Sequence, residues 1–194
     1  VDLCGHATLA AAYVLFKYEA YPSKRIVFHS QKSGLLSVEK DDDLLTLDFP
    51  VDEYEKVSCP QVLIEAFGKT PLETYLGKTD YLLVFSTQEE IEKMQANLNL
   101  VSKVKARGVI ISAPGSHTDF VSRFFAPQSG IDEDPVTGSA HTSLTPIWSK
   151  KLGKASLTAR QLSARQGDLI CELEGDRVKI SGKAVTYLIG EIEI

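Results

Sequence analysis

Two segments rich in small residues, one in each half of the chain, constrain the fold more than any other feature of this sequence. The first, Gly5–Phe16, is dominated by alanine and leucine and is apolar on nearly every side, which predicts a buried central helix. The second spans 138–151 and opens with Gly138-Ser139-Ala140, as the first opens with Gly5-His6-Ala7. Pro146 lies within it, so we expect a kink or an irregular first turn.

Strand-like segments follow each of these helices, and a mixed stretch separates the two groups. The predicted strands are 25–29, 34–39, 44–49, 81–86, 108–112, 120–125, 157–163, 168–173, 177–181 and 185–194. Further helices are predicted at 60–67 and 88–97. This order fits two α+β half-domains, each with a sheet wrapped on one central helix.

The domain boundaries follow from this order. We expect residues 1–52 to form the remainder of a first half-domain, with its central helix at about 5–17. Residues 53–183 would form the second half-domain around a central helix at about 138–151. Residues 184–194 would form a closing strand that returns to the first half-domain. Because Val1 is not Met and the first motif follows at once, we also expect an N-terminal segment to be missing.

Composition excludes several classes of function. Hydrophobic residues make up 43% and charged residues 24% of the 194 positions, as in an ordinary globular protein. The net charge is −5, and no basic run exceeds Lys150-Lys151, so no nucleic-acid partner is expected. No apolar run suits a membrane span and no signal peptide is evident. The three cysteines are widely spaced, which favours reduced thiols and a cytoplasmic location. A homodimer is favoured only because two-fold assemblies are common.

The first candidate site is Cys4-Gly5-His6. Gly5 would let the backbone approach a ligand closely, and the amides beyond it would favour an anion. At such a helix start Cys4 would gain thiolate character, and His6 could carry a proton near neutral pH. The same pattern fits Cys4 as a small buried hydrophobe and His6 as an ordinary capping group.

The second candidate site is the acidic stretch 132–141, in which Asp134 precedes the turn Thr137-Gly138-Ser139. The turn could hold a carboxylate or phosphate on its amides, and Asp134 could act as an acid or base. An acidic loop with Thr137 or Ser139 as a plain N-cap explains the pattern equally.

A third candidate is Arg123, which could orient a substrate carboxylate with two hydrogen bonds. Its alternative is an arginine that extends from a core strand to solvent. Metal binding has no support, because the four histidines are scattered and no Cys-x-x-Cys occurs. Gly68-Lys69-Thr70 and Gly77-Lys78-Thr79 lack the upstream glycines of a phosphate loop.

Together the segments 2–10 and 133–141 strongly resemble the PhzF-like family, named for phenazine biosynthesis, and the segments 122–127 and 161–165 are also similar to it. The resemblance implies the α+β, diaminopimelate-epimerase-like fold. In that fold two pseudo-symmetric domains, each a curled, mostly antiparallel sheet around a central helix, have the active site between them. It implies proton-transferring isomerisation without metal or organic cofactor, which in the phenazine member acts on a dihydro-hydroxyanthranilate. The expected partner is a small carboxylate-bearing molecule.

The resemblance also implies roles for particular residues. His6, Asp134 and Ser139 match polar active-site positions, and Gly5 and Gly138 match the two turns that present amides to the substrate. In related racemases a cysteine at the position of Cys4 acts as a base, but its partner cysteine has no match here. Family members carry an earlier Asn-Leu-Ser-Glu-Thr-like motif whose glutamate is the principal acid/base, and these 194 residues contain none. A Cys4-dependent racemase or epimerase and a non-catalytic binding protein are therefore the alternatives.

Overall fold

The computed structural model describes residues 4–31 and 34–191. Five helices occur within them: α1 (Gly5–Tyr18), α2 (Gln61–Phe67), α3 (Gln88–Lys93), α4 (Leu98–Val101) and α5 (His141–Leu152). The strands are β1 (Arg25–Ser30), β2 (Gly34–Asp41), β3 (Leu44–Pro50), β4 (Tyr54–Lys56), β5 (Glu73–Gly77), β6 (Asp80–Val84), β7 (Gly108–Pro114), β8 (Phe120–Phe125), β9 (Ser156–Gln161), β10 (Gly167–Glu174) and β11 (Arg177–Gly182). Short 3-10 turns lie at Pro127–Ser129 and Gly138–Ala140.

All these strands belong to one mixed sheet, in the order β1-β2-β3-β11-β10-β9-β8-β7-β6-β5-β4. The pairs β6–β7 and β8–β9 are parallel, and the other neighbours are antiparallel. β3 joins the early strands to the late ones, with Phe49 opposite Val178. The strands on either side of residue 52 are therefore hydrogen-bonded in one sheet.

Alternation along the strands gives the sheet two apolar faces. In β8, Phe120 and Phe124 belong to the core that contains α5, while Val121 and Phe125 belong to the core that contains α2 and α3. The Phe120 ring stacks parallel on Trp148 of α5, with the ring centroids 5.7 Å apart. Because side chains alternate in a strand, one sheet can cover the central helix α5 and still bury its outer face.

The irregular start of α5 agrees with the expectation raised by Pro146. Residues Gly138–Ala140 form a 3-10 turn, and the helix then continues through Pro146 to Leu152. Proline has no N–H to donate to the carbonyl four residues earlier. The Thr142 carbonyl instead accepts from the Asp52 N–H at 3.2 Å, and Ser143 Oγ donates to Asp52 Oδ2 at 2.7 Å. The segment after β3 is thereby tied to α5.

The prediction that α1 is buried on all sides is wrong for the residues described. Only Gly5 and Ala12 are fully buried, whereas Val14 and Tyr18 are 47% and 44% exposed. The helix packs on β2 and β3 with one face, because only that side is covered by the sheet. No helix in residues 4–31 and 34–191 is long and apolar enough to cross a membrane.

Most predicted elements are present, but one helix and one strand differ clearly from their predicted ranges. The helix predicted over 88–97 ends at Lys93. Near this end, Arg123 Nη1 donates hydrogen bonds to the Ile91 and Met94 carbonyls. Residues 184–191 form no strand, and the remaining predicted strand residues lie outside the described part. Thr186 contacts the Tyr13 and Tyr18 hydroxyls of α1. The short elements β4, β5 and α4 were not predicted.

Candidate active site

The starts of the two central helices meet at a pair of glycines. A Cβ placed on Gly5, the first residue of α1, would lie 3.3 Å from the Gly138 Cα, which opens the turn into α5. The same Cβ would also lie 3.3 Å from Phe49 and 3.4 Å from Leu47. A side chain at either position would press on the opposite backbone, so glycine suits this close approach. The two small-residue turns singled out in the sequence are therefore neighbours in space.

Neither of these helix starts carries a side-chain cap. The residue before α1 is Cys4 and the residue before the 3-10 turn is Thr137, and neither side chain caps the N–H groups that follow. The short surface helices differ, because Thr87 caps α3 and Asn97 caps α4 through their side-chain oxygens. Acidic residues are also absent from the first turns of α1 and α5. The partial positive charge of two helix ends thus converges where an anion could bind.

Asp134 lies at the base of the loop that leads into the second helix start. It is 9% exposed, and its N–H donates to the Phe124 carbonyl at 3.0 Å. The Thr137 hydroxyl donates to Asp134 Oδ2. The alternative explanation of Thr137 as a plain N-cap is not seen, because its hydroxyl binds the Asp134 carboxylate instead.

Gln161, at the end of β9, holds this loop in place. Its amide nitrogen donates to the Asp134 carbonyl at 2.7 Å and to Thr137 Oγ1 at 3.2 Å. Its amide oxygen accepts the Thr137 N–H at 2.8 Å. Gln161 is fully buried, so the loop depends on these bonds instead of water for its polar groups. In the sequence, Gln161 belongs to the family-like segment 161–165, and the sequence predicted no individual role for it.

Ser139 is connected to an ion pair between the half-buried Arg107 and the buried Asp80. Arg107 Nη1 donates to Ser139 Oγ at 3.1 Å, and Arg107 Nε donates to Asp80 Oδ1 at 2.9 Å. A second bond joins Arg107 Nη2 to Asp80 Oδ2. Burial opposes the charge of Arg107, but the hydrogen bonds and charge of Asp80 hold its pKa above the ordinary value. The site therefore has a cation next to the second helix start.

Sequence reasoning missed Arg107 and Asp80. Each is the charged residue directly before a buried apolar strand segment, which is the signal that could have found them. They meet because β6 and β7 are parallel, with Asp80 opposite Gly108. Parallel neighbours begin at the same edge of a sheet, and nothing in the local sequence predicted that pairing.

His6 and Cys4 flank the first glycine. His6 is exposed, Cys4 is partly exposed, and Cys4 Sγ lies 3.6 Å from His6 Nε2. Both side chains thus lie at the start of α1, as their sequence positions indicated.

The structure does not bring Arg123 to the helix starts. Its Nε and Nη2 bind Glu133 at 2.7 and 3.0 Å, and its Nη1 binds the Ile91 and Met94 carbonyls. The side chain is on the face of β8 that packs toward α3, and it lies over the Phe125 ring. The Arg123 guanidinium thus joins β8 to Glu133 and to the end of α3. Its predicted contact with a substrate has no geometric support.

His141, the first residue of α5, is a buried group for which the sequence predicted no role. Its Nδ1 lies 2.8 Å from the Thr137 carbonyl, and its ring is 5.9 Å from that of Phe120. Complete burial lowers its pKa to about 4. A neutral His141 therefore donates from Nδ1 to the backbone of the site loop.

Neither of two sizeable cavities lies at the helix starts. One of about 230 Å³ is bordered by Arg123 and Glu133, and one of about 430 Å³ is bordered by Lys17 and Lys183. In the described part of the chain, no three His, Cys, Asp or Glu side chains group so as to hold a metal ion.

Comparison with known proteins gives a consistent picture. The sequence profile of the family described as phenazine biosynthesis-like protein matches residues 1–190. An uncharacterized isomerase of Pseudomonas aeruginosa is 49% identical over 195 residues, which cover 100% of this chain and 74% of that protein. A PhzF-family crystal structure from Enterococcus faecalis has a TM-score of 0.95 at 40% identity, with the same two coverages of 100% and 74%.

A more distant structure shares the fold alone. The probable proline racemase of Agrobacterium radiobacter is 11% identical, with a TM-score of 0.59 over 100% of this chain and 68% of that one. These neighbours confirm the predicted α+β, diaminopimelate-epimerase-like fold.

Proposed function

Because the chain belongs to the phenazine biosynthesis-like family, we propose that it is an isomerase that moves a proton on a small carboxylate-bearing substrate. The substrate would lie between the starts of α1 and α5, and the reaction would need neither metal nor organic cofactor. The observation that carries this proposal is the meeting of two uncapped helix starts at Gly5 and Gly138, directly beside the loop of Asp134.

Electrostatics at the helix starts suits this chemistry. Removing a proton beside a carboxylate builds up negative charge, and preorganised N–H groups and a nearby cation stabilise it. The amides after Gly5 and Gly138 would supply the N–H groups, and Arg107 supplies the cation next to Ser139. These groups are fixed by the backbone and by Asp80, so they need little rearrangement when the charge develops.

Asp134 and His6 are the groups we assign to proton transfer. Asp134 is positioned by Thr137 and Gln161 and adjoins the second helix start in sequence. His6 lies on the first turn of α1, exposed beside Gly5. An acid/base on each helix start would allow a proton to leave one carbon and return to another.

A Cys4-dependent racemase or epimerase is the second candidate, and the contact of Cys4 with His6 favours it. A thiol 3.6 Å from an imidazole nitrogen can give up its proton to that ring and act as a base. This candidate makes Cys4 the principal base, whereas in the isomerase proposal Asp134 and His6 position or shuttle protons and Cys4 is not needed as a base.

Solvent deuterium incorporation separates these functions. The natural gene product would be incubated in D₂O with a panel of small carboxylic acids, including a dihydro-hydroxyanthranilate, and each acid would be analysed by mass spectrometry and NMR. An isomerase exchanges or moves a carbon-bound proton on at least one acid. If every acid stays unlabelled and unchanged while still binding, the protein is a binding protein of this fold and the proposal fails.

The variant Cys4→Ser decides between the two enzyme candidates. If it keeps the labelling rate within a few-fold of the wild type, the isomerase proposal stands. A loss of labelling of about 100-fold or more, together with protection of Cys4 from alkylation by the labelled acid, would establish the thiol-dependent mechanism instead.

A further inference from the structure

Arg107 is bound to Ser139 in a way that fixes the direction of the serine hydroxyl. A guanidinium group only donates hydrogen bonds, so Ser139 Oγ is the acceptor of the 3.1 Å bond from Nη1. A serine hydroxyl has one hydrogen of its own and two lone pairs. Since one lone pair is used by Arg107, the Ser139 hydrogen remains to be donated to another acceptor.

Other contacts hold Arg107 in place, so that Nη1 stays directed at Ser139 Oγ. Asp80 is 4% exposed and binds both Nε and Nη2, while the Arg107 N–H donates to the Thr79 carbonyl at 2.7 Å. The guanidinium carbon also lies 5.3 Å from the centroid of the Phe124 ring. The backbone bond to Thr79 and the side-chain contacts with Asp80 and Phe124 thus fix which nitrogen faces Ser139.

We propose that Arg107 is a positioning residue that holds and polarises the Ser139 hydroxyl, so that its hydrogen is donated to the carboxylate of the ligand. The role rests on the proposed function, because it takes the helix starts as the place where that carboxylate binds. A hydroxyl that accepts from a cation is also polarised, so its own donated bond to an anion is strengthened. Arg107 therefore favours anionic ligands at Ser139 without contacting them.

Two variants test this role without removing the fold. Arg107→Lys keeps a cation for Asp80, but one ammonium nitrogen on a flexible stem does not reproduce the fork that joins Asp80 and Ser139. Ser139→Ala removes the hydroxyl itself. The probe is benzoate, whose dissociation constant is measured by calorimetry and by NMR shifts of the glycine amides, with urea unfolding as the check on stability.

We expect Arg107→Lys and Ser139→Ala each to weaken benzoate binding by about tenfold, the usual effect of losing a hydrogen bond to a charged group. The double variant should bind no more weakly than Ser139→Ala alone, because Arg107 acts through Ser139. Multiplied effects would mean that Arg107 contacts the carboxylate directly, which overturns the positioning role. Unchanged affinity in Arg107→Lys, or no benzoate binding by the wild type, would overturn it as well.

The two proposals can fail separately. If benzoate binding shows the expected coupling but no acid is labelled by deuterium, the positioning role stands and the isomerase proposal falls. If labelling occurs while Arg107→Lys changes neither benzoate affinity nor KM, the isomerase proposal stands and the role of Arg107 falls.

Discussion

At the scale of single residues, His141 links protonation to folding. Burial lowers its pKa to about 4, whereas an unfolded chain titrates near 6.5. Between these values the unfolded state takes up a proton that the folded state does not. The contribution of His141 to stability is therefore complete above about pH 6.5 and is lost as the pH falls towards 4.

Replacing His141 should remove this part of the pH dependence. From pH 7 to 4.5 we expect the free energy of unfolding of the wild type to fall by about 2 to 3 kcal/mol more than that of His141→Gln. Urea unfolding at several pH values measures the difference. The exposed His117 is the control, and His117→Gln should keep the wild-type slope. Equal slopes in wild type and His141→Gln would refute the assignment.

Which residues the sequence could predict depends on how local their signal is. Gly5, Gly138 and Asp134 lie in short turns whose residue types indicate close backbone approach or a carboxylate that could act as an acid or base. Arg107 reaches Ser139 across 32 positions, through a strand pairing that no local pattern specifies. Arg123 shows the limit of a residue type alone, because a bidentate donor is equally suited to a substrate or to Glu133, which it binds in this structure.

At the scale of elements, the hairpin of β9 and β10 sets the position of the Asp134 loop. Gly167 lies opposite Gln161 in this hairpin, and a Cβ at Gly167 would collide with the Val136 side chain. The absence of a side chain at Gly167 thus leaves room for the loop that carries Asp134.

Filling that space should displace the loop. We expect Gly167→Ala to destabilise the protein by about 1 to 3 kcal/mol and to lower the rate of deuterium incorporation by about tenfold, since catalysis is sensitive to small displacements. The double variant Val136→Ala/Gly167→Ala should recover most of the rate. Gly182→Ala is the control, because its nearest neighbour would be 3.9 Å away. An unchanged rate in Gly167→Ala would show that the loop position does not matter.

Strong periodic or apolar patterns predicted their elements, and weak ones did not. The segments that became β1 to β3 and β6 to β11 were predicted from apolar runs and turn residues. β5 was not predicted; it ends at Gly77, the first residue of Gly77-Lys78-Thr79, which was compared only with a phosphate loop. The burial of α1 was overestimated. The apolar residues of a helix indicate which surface could be buried, but not how much of that surface the described sheet covers.

At the scale of the whole molecule, the strands before and after residue 52 share a sheet and a core. Phe49 of β3 is fully buried in the same cluster as Trp148 of α5. The predicted division into 1–52 and 53–183 therefore crosses a continuous set of contacts. Elements that share one core and one hydrogen-bonded sheet are expected to unfold together.

Removing a buried side chain from β3 should therefore also lower the stability of the region around α5. We expect Phe49→Ala to lower the free energy of unfolding by about 3 to 5 kcal/mol, as reported by the fluorescence of Trp148, the only tryptophan. Val27→Ala on β1 is the control, because Val27 is 56% exposed. If the Trp148 transition stays where it was while circular dichroism shows an earlier one, the two parts unfold independently.

The measurement that tests the central claim most directly is the rate of solvent deuterium incorporation by Asp134→Asn. Asparagine keeps an acceptor for the Thr137 hydroxyl, so the loop should persist, and the exposed neighbour Asp132 supplies the control variant Asp132→Asn. We predict that Asp134→Asn loses at least about 100-fold in rate with Trp148 fluorescence unchanged, while Asp132→Asn keeps the wild-type rate. Full activity in a folded Asp134→Asn would contradict a proton-transfer site at the meeting point of the two helices.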